Sequence, residues 1–188
     1  RRSDAYRDDK SSSLTGINPV LAWRPDGNSR LALSVEIVRA SFQPDRGLPL
    51  VAGSLPPVPR TRSYQSPFDV SSQDIVRLRL DVERRVSPGL VLRHKLYYTD
   101  LDWQADGTLM SGVFPTPDGG SQVARVLTLL DDHQRLLGTQ LEAAASFSTG
   151  SVTHHLLAGL ELSRLGDVFT QDVALLPGIG LLDPVETA

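Results

Sequence analysis

The sequence predicts an all-β chain: an antiparallel up-and-down meander of about six strands. Three observations carry that reading. Apolar residues fall on every second position over long stretches, compact turn signals punctuate those stretches, and the connections alternate between short and long. The apolar runs stay far below the roughly 20 residues of a membrane-crossing helix, so a membrane-crossing part would have to be made of strands. Pattern alone leaves two architectures open. One is a water-soluble meander or sandwich with its aliphatic side against a second layer. The other is a barrel with that side against lipid and its charged side against a wet interior.

In the first predicted strand, Ser13 to Arg24, Ile17, Leu21 and Trp23 share one phase, and Asn18, Ala22 and Arg24 the other. Pro25-Asp26-Gly27-Asn28 then turns the chain, since Pro presets φ and Gly or Asn accepts positive φ. The second strand carries Leu31, Leu33, Val35 and Ile37 on one face. A Pro-, Gly- and Ser-rich connection follows, about residues 43–73, of the length usually reserved for functional or disordered loops.

The clearest hairpin is DIVRLRLDVERRVSPGLVLRHKLYYTDLDW, Asp74 to Trp103. Val76, Leu78, Leu80 and Val82 alternate with Arg77, Arg79, Asp81 and Glu83. Ser87-Pro88-Gly89 turns, and Leu90, Leu92, Leu96 and Tyr98 return between Arg93, Lys95 and Tyr97. A second long connection is expected from about 104 to 121. Val123, Val126, Leu127, Leu130, Leu137 and Leu141 fit helical spacing and Ala143 to Ala145 favour helix by propensity, so by its residues alone this segment reads as helix, with strand as the competing reading. Its later part alternates Leu137, Thr139, Leu141, Ala143, Ala145 and Phe147 into the turn Ser148-Thr149-Gly150-Ser151. A last strand carries Val152, Leu156, Ala158, Leu160 and Leu162, and a third irregular stretch is expected from about Gly166.

Composition narrows the function classes. The chain has 188 residues, 40% hydrophobic and 22% charged, with a net charge of −3. Basic residues are scattered among carboxylates, which excludes an electrostatic footprint for nucleic acid. With no cysteine there is neither a disulfide framework nor a thiolate metal site. No nucleophile elbow, zincin, Walker or dinucleotide motif is present, so the chain reads as a non-enzyme. His154 and His155 are adjacent on a strand and point to opposite faces, so they cannot chelate one ion. The opening RRSDAYRDDKSSS has neither an initiator Met nor an apolar leader region, and the whole of 1–188 reads as an internal segment of a longer protein.

Four stretches in order, INPVLAWRPDGNSRLALSVE (Ile17 to Glu36), PDRGLPL (Pro44 to Leu50), PRTRSYQSPFD (Pro59 to Asp69) and HHLLAGLEL (His154 to Leu162), carry a family resemblance. So does LLDDHQRLLGTQLEAAASFSTG, Leu129 to Gly150. The chain resembles the barrel domain of TonB-dependent ferric-siderophore receptors, from its middle, without the plug domain or the barrel termini. Gln65 departs from a family preference for Gly, and 6% aromatic residues is low for a barrel with two aromatic girdles.

The resemblance implies a segment of a receptor in the cell outer membrane, energised through TonB, that imports ferric siderophores past a plug domain. The siderophore is then the transported ligand, and no cofactor of the chain's own is expected. Val76, Leu78, Leu80, Val82, Leu90, Leu92 and Leu96 would face outer-membrane lipid. Trp23 would stand at one membrane interface, with Tyr98 and Trp103 at the other. Arg60, Arg62 and Tyr64, in an extracellular loop, become candidate contacts for an anionic iron chelate, since guanidinium groups bind carboxylate or phosphate oxygens bidentately and an aromatic ring packs on a catecholate. Arg84 and His94 break the aliphatic phase. Arg84 lies near a turn, where a cation costs roughly 0–1 kcal/mol against 2–4 at the midplane, and His94 is expected to be covered by a neighbour. The other reading is a soluble β-rich binding or interaction module without catalysis.

Overall fold

A computed structural model of the chain describes residues 2–4, 6–8 and 10–186. They form one antiparallel sheet of eight strands: β1 (Arg2–Asp4), β2 (Ser11–Ile17), β3 (Val20–Trp23), β4 (Ser29–Phe42), β5 (Val70–Ser87), β6 (Leu90–Pro115), β7 (Ser121–Thr149) and β8 (Val152–Gly180). Strands β2 and β3 both pair with β4 and are interrupted only at Asn18-Pro19. That interruption has a simple cause, because Pro19 has no N–H to donate; its carbonyl still accepts from Val35 N at 3.0 Å. With β2 and β3 counted as one, and short β1 set aside, six strand positions follow one another as an up-and-down meander. The sheet is open.

The three tight turns at one end follow the predicted chemistry. At Pro25-Asp26-Gly27-Asn28, Asp26 Oδ1 accepts from Asn28 N at 2.8 Å, an Asx turn. Gly150 supplies the positive φ (62°) needed between β7 and β8. Between β5 and β6 the strand edge carries a bulge at Arg85 to Ser87. At the other end, 43–69 is the long connection expected, and within it Ala52 (φ 48°) and Gly53 (φ 79°) close a small hairpin whose flanks, Val51 and Ser54, bridge each other.

Two expectations are corrected. Residues 104–115 are strand, and the connection from β6 to β7 shrinks to 116–120; likewise β8 continues past Gly166 to Gly180. The physical reason is pairing. Gly107, Gly112 and Pro115 weaken strand propensity locally, yet each of these segments has a partner ladder running beside it, from Asp106↔Leu129 to Pro115↔Ser121 and from Arg135↔Gly166 to Gln122↔Gly180. A bulge at Met110 to Gly112 absorbs the mismatch, as bulges do near sheet rims. Residues 123–136, open between helix and strand, are strand throughout.

The buried core is small and lies at this extended end. Tyr64, Val123, Ile179 and Leu181 are buried together, with Leu48, Met110 and Val113 packed on them. Elsewhere the sheet is a single layer with both faces open.

Candidate functional site

Register sorts side chains into two faces. Cross-strand rows on the aliphatic face read Trp23, Leu31, Val82, His94, Leu141, Leu160, and next to it Leu21, Leu33, Leu80, Leu96, Thr139, Leu162. All seven predicted residues, Val76, Leu78, Leu80, Val82, Leu90, Leu92 and Leu96, stand on this one face. Trp23 marks its lower edge on β3 and Tyr98 its upper edge on β6. Trp103 does not join Tyr98: it is paired with Gln73 and Asp132 in the opposite phase, and its Nε1 donates to Ser71 Oγ at 2.9 Å.

The upper edge of the aliphatic band is a staircase of charge. On β4 and β5 it ends at Arg39 and Asp74, paired at 3.5 Å; on β6 and β7, one row lower, it ends at Asp100 and Arg135, paired at 3.2 Å. On β8 it ends at Arg164, a further row down. Two rows are four residues, about 13 Å at 3.3 Å per residue, across four strand spacings of about 4.8 Å. The edge therefore runs at about 35° to the perpendicular of the strands, the tilt that barrel strands adopt. The lower edge descends in the same sense, from Trp23, Leu31 and Val82 through Leu90 to Phe147.

Both breaks in the aliphatic phase have partners. His94 Nε2 is hydrogen-bonded to Thr139 Oγ1 at 2.8 Å. Arg84 donates from Nη1 to Asp26 Oδ2 at 2.8 Å and also to Ser29 Oγ. Asp26 lies in the turn, where the Asn28 N–H, aided by Arg84, holds its carboxyl below the usual carboxylate range.

The opposite face is a ladder of ion pairs. Arg93 bridges two strands, donating to Glu83 at 3.0 Å and Glu142 at 2.6 Å. Arg77 pairs with Glu36 at 2.7 Å, Arg79 with Asp81 at 2.8 Å, and Lys95 reaches Gln140. Tyr97 lies flat across Gly138 and its hydroxyl donates to Glu161. The predicted wet set thus forms one connected polar surface. Its pairs are solvent-exposed, so their worth in stability is small.

The loop trio is separated by the fold. Tyr64 is fully buried, its hydroxyl donating to Leu181 O at 2.6 Å, and burial pushes its pKa up. It offers a ligand no surface. Arg62 donates to the carbonyls of Leu181 and Leu182, and Arg60 alone stays exposed. The loop is clamped by groups the sequence did not single out. Asp69 accepts from the N–H and hydroxyl of Thr108 at 2.8 and 2.7 Å. The Arg125 guanidinium, 1% exposed, donates to Tyr64 O, Pro177 O and Glu186. Val123 and Arg125 share the phase of Leu137 and Leu141 on β7, so the loop folds across the extension of the aliphatic face.

At the same end, the charged face carries a different group. Trp103, Asp132 and Phe169 form one row, with Gln134 and Asp167 in the row below. Asp132 is 2% exposed; Oδ2 accepts from Gln134 Nε2 at 2.9 Å. Burial first, and then the facing Asp167 carboxyl, raise its pKa. On the other side of the sheet His133 Nδ1 meets Asp102 Oδ1 at 2.6 Å, and Asp100 is held by Tyr98 and Arg135. His133 is thus a hydrogen-bond partner of Asp102 at a strand extension.

An open, tilted sheet with an aliphatic band on one face and a polar ladder on the other has the architecture of a β-barrel segment. Comparison with known proteins narrows the class to the barrel fold of siderophore receptors. The ferric-catecholate import receptor Fiu of E. coli K12, in its open form, superposes with a TM-score of 0.87 over 98% of this chain and 31% of its own, at 19% identity. The siderophore receptor PiuA of Acinetobacter baumannii does so at 0.84 over 98% and 30%, at 16% identity. The ferripyoverdine receptor of the outer membrane of Pseudomonas aeruginosa gives 0.76 over 92% and 23%, at 13% identity. At such identities the fold is what is shared. By sequence, the metal-pseudopaline receptor CntO of Pseudomonas aeruginosa is 26% identical over 163 residues, 86% of this chain. The chain spans 23% of that relative's length. No family model matches.

Proposed function

We propose that the chain is part of an outer-membrane receptor that imports a metal siderophore, most simply a ferric one, with energy supplied through TonB. The aliphatic band, from Trp23 and Leu31 across to Leu162, lies against lipid, with Trp23 at the lower interface and Tyr98 at the upper. The ladder around Arg93 faces the interior and the plug domain of the same receptor. The single observation that carries the reading is the tilted band: its charged upper edge descends by row from Arg39 to Arg164 at the angle a barrel requires, a regularity that a soluble sandwich has no reason to keep.

The extent of the band supports the same reading. From Leu90 to Tyr98 it covers nine residues, about 30 Å along a strand, or about 24 Å after a tilt of about 35°, close to the roughly 25 Å apolar height of outer-membrane barrels. Of the loop trio, Arg60 is the residue left to touch a chelate from outside. The receptor, expressed from its full-length gene, is expected in the outer-membrane fraction with heat-modifiable migration. Recovery of native protein in a detergent-free soluble fraction would overturn the reading in favour of the soluble module.

A further inference from the structure

Chelate recognition is ordinarily sought among cations, yet the candidate arginines of the 43–69 loop lie across the extension of the aliphatic face, with Tyr64 buried and Arg62 engaged. What the charged face presents at that end, above the ion-pair ladder, is acidic and aromatic: Trp103 and Phe169 flank Asp132 along one row, and Asp167 stands beside it on β8. Phe169 is 56% exposed, and Asp167 is exposed as well. Asp132 is buried, and its Oδ1 has no hydrogen-bond partner among the described residues. The neighbouring group is another carboxylate, an acceptor like itself. Two facing acceptors need a donor, and Gln134 serves only the other oxygen, Oδ2.

We propose that Trp103, Asp132, Asp167 and Phe169 form a subsite for a protonated amine carried by the transported chelate. This rests on the receptor reading above. An ammonium group supplies three N–H donors, enough to bridge Asp167 and the unpartnered Asp132 oxygen. The faces of Trp103 and Phe169 attract the same cation through their quadrupoles. Arg77, the cation nearest along this face, is held by Glu36 at 2.7 Å. Burial and the facing Asp167 carboxyl disfavour a charged Asp132 in the unliganded site, and an arriving ammonium supplies the counter-charge.

The test uses full-length receptor in detergent and matched pairs of ferric chelates, catecholate, hydroxamate and carboxylate, each with a free primary amine and in its N-acetylated form. Binding is read by tryptophan quenching and confirmed by calorimetry. Expected for the chelate class that binds is at least a tenfold preference for the free amine, lost in Asp167→Asn and reduced in Phe169→Leu, while both variants keep heat-modifiable migration. Equal affinity for the two forms, or a preference unchanged in both variants, overturns the subsite and leaves the receptor reading standing. Absence of binding to every ferric chelate overturns both.

Discussion

A Cβ built on Gly138 would lie 2.2 Å from the Tyr97 ring, so the glycine is there to let an aromatic ring cover the strand. Gly138→Ala is expected to cost about 1–3 kcal/mol through overpacking, and Tyr97→Leu in the same background should recover part of it; chemical denaturation of the full-length protein in detergent measures both. At His94 the decisive neighbour is Thr139. Thr139→Val strands a ring nitrogen on an apolar face, at roughly 1–3 kcal/mol, whereas His94→Leu combined with Thr139→Val removes both polar groups and should be near neutral. For Asp132, whose pKa is raised, the sign follows from proton linkage: its contribution is complete below the unfolded value near 3.9 and is given up as pH rises through the folded value. Wild type should therefore lose stability relative to Asp132→Asn as pH rises above about 4, and parallel melting curves for the two proteins would contradict this.

Among the elements, the β6–β7 ribbon and the 43–69 loop behave as one unit. The ribbon continues well past the band because each strand is the other's template, and the loop gives its far end the only substantial buried core among the described residues. Arg125 ties three segments together: the carbonyl of Tyr64, that of Pro177, and the carboxylate of Glu186. Glu186→Ala leaves a nearly fully buried guanidinium short of its counter-charge, a costly arrangement. The expected outcome on intact cells is faster protease cleavage within 43–69, with folding of the barrel unchanged by heat-modifiability. Unchanged cleavage would mean that the backbone contacts and the Tyr64 cluster hold the loop without the ion pair.

For the whole molecule, the thin sheet leaves Leu156, Leu160 and Leu162 at 58, 57 and 61% exposed, and two open edges beside them. Such a surface aggregates in water. The 188-residue chain alone should be insoluble without detergent, and a monodisperse species in plain buffer by light scattering would count against the membrane assignment. On the membrane reading proposed above, Leu80→Arg, near the middle of the band, should cost about 2–4 kcal/mol in the full-length protein, and Arg84→Leu, at the lower rim, should change stability little. Equal effects at both sites would deny the band its depth dependence.

The alternation from Asp74 to Trp103 already contained the β5–β6 pairing, the composition of both faces, and the turns at 25–28 and 148–151, because a period of two leaves little freedom once one face is apolar. Parity alone also separates Tyr98 from Trp103, five positions apart and hence on opposite faces. The resemblance added a direction, lipid on one side and a wet interior on the other. Only the tertiary structure decided that 104–115 and 166–180 are strand, since Gly and Pro read locally as turns and a partner strand is a non-local fact. The same holds for 123–136, whose residues fit helical spacing but become strand once β6 and β8 lie beside them. The burial of Tyr64, the clamp at Arg125 and the meeting of Asp132 with Asp167 arise between residues far apart in the chain. Sequence spacing carries no term for such contacts; the register of the sheet creates them.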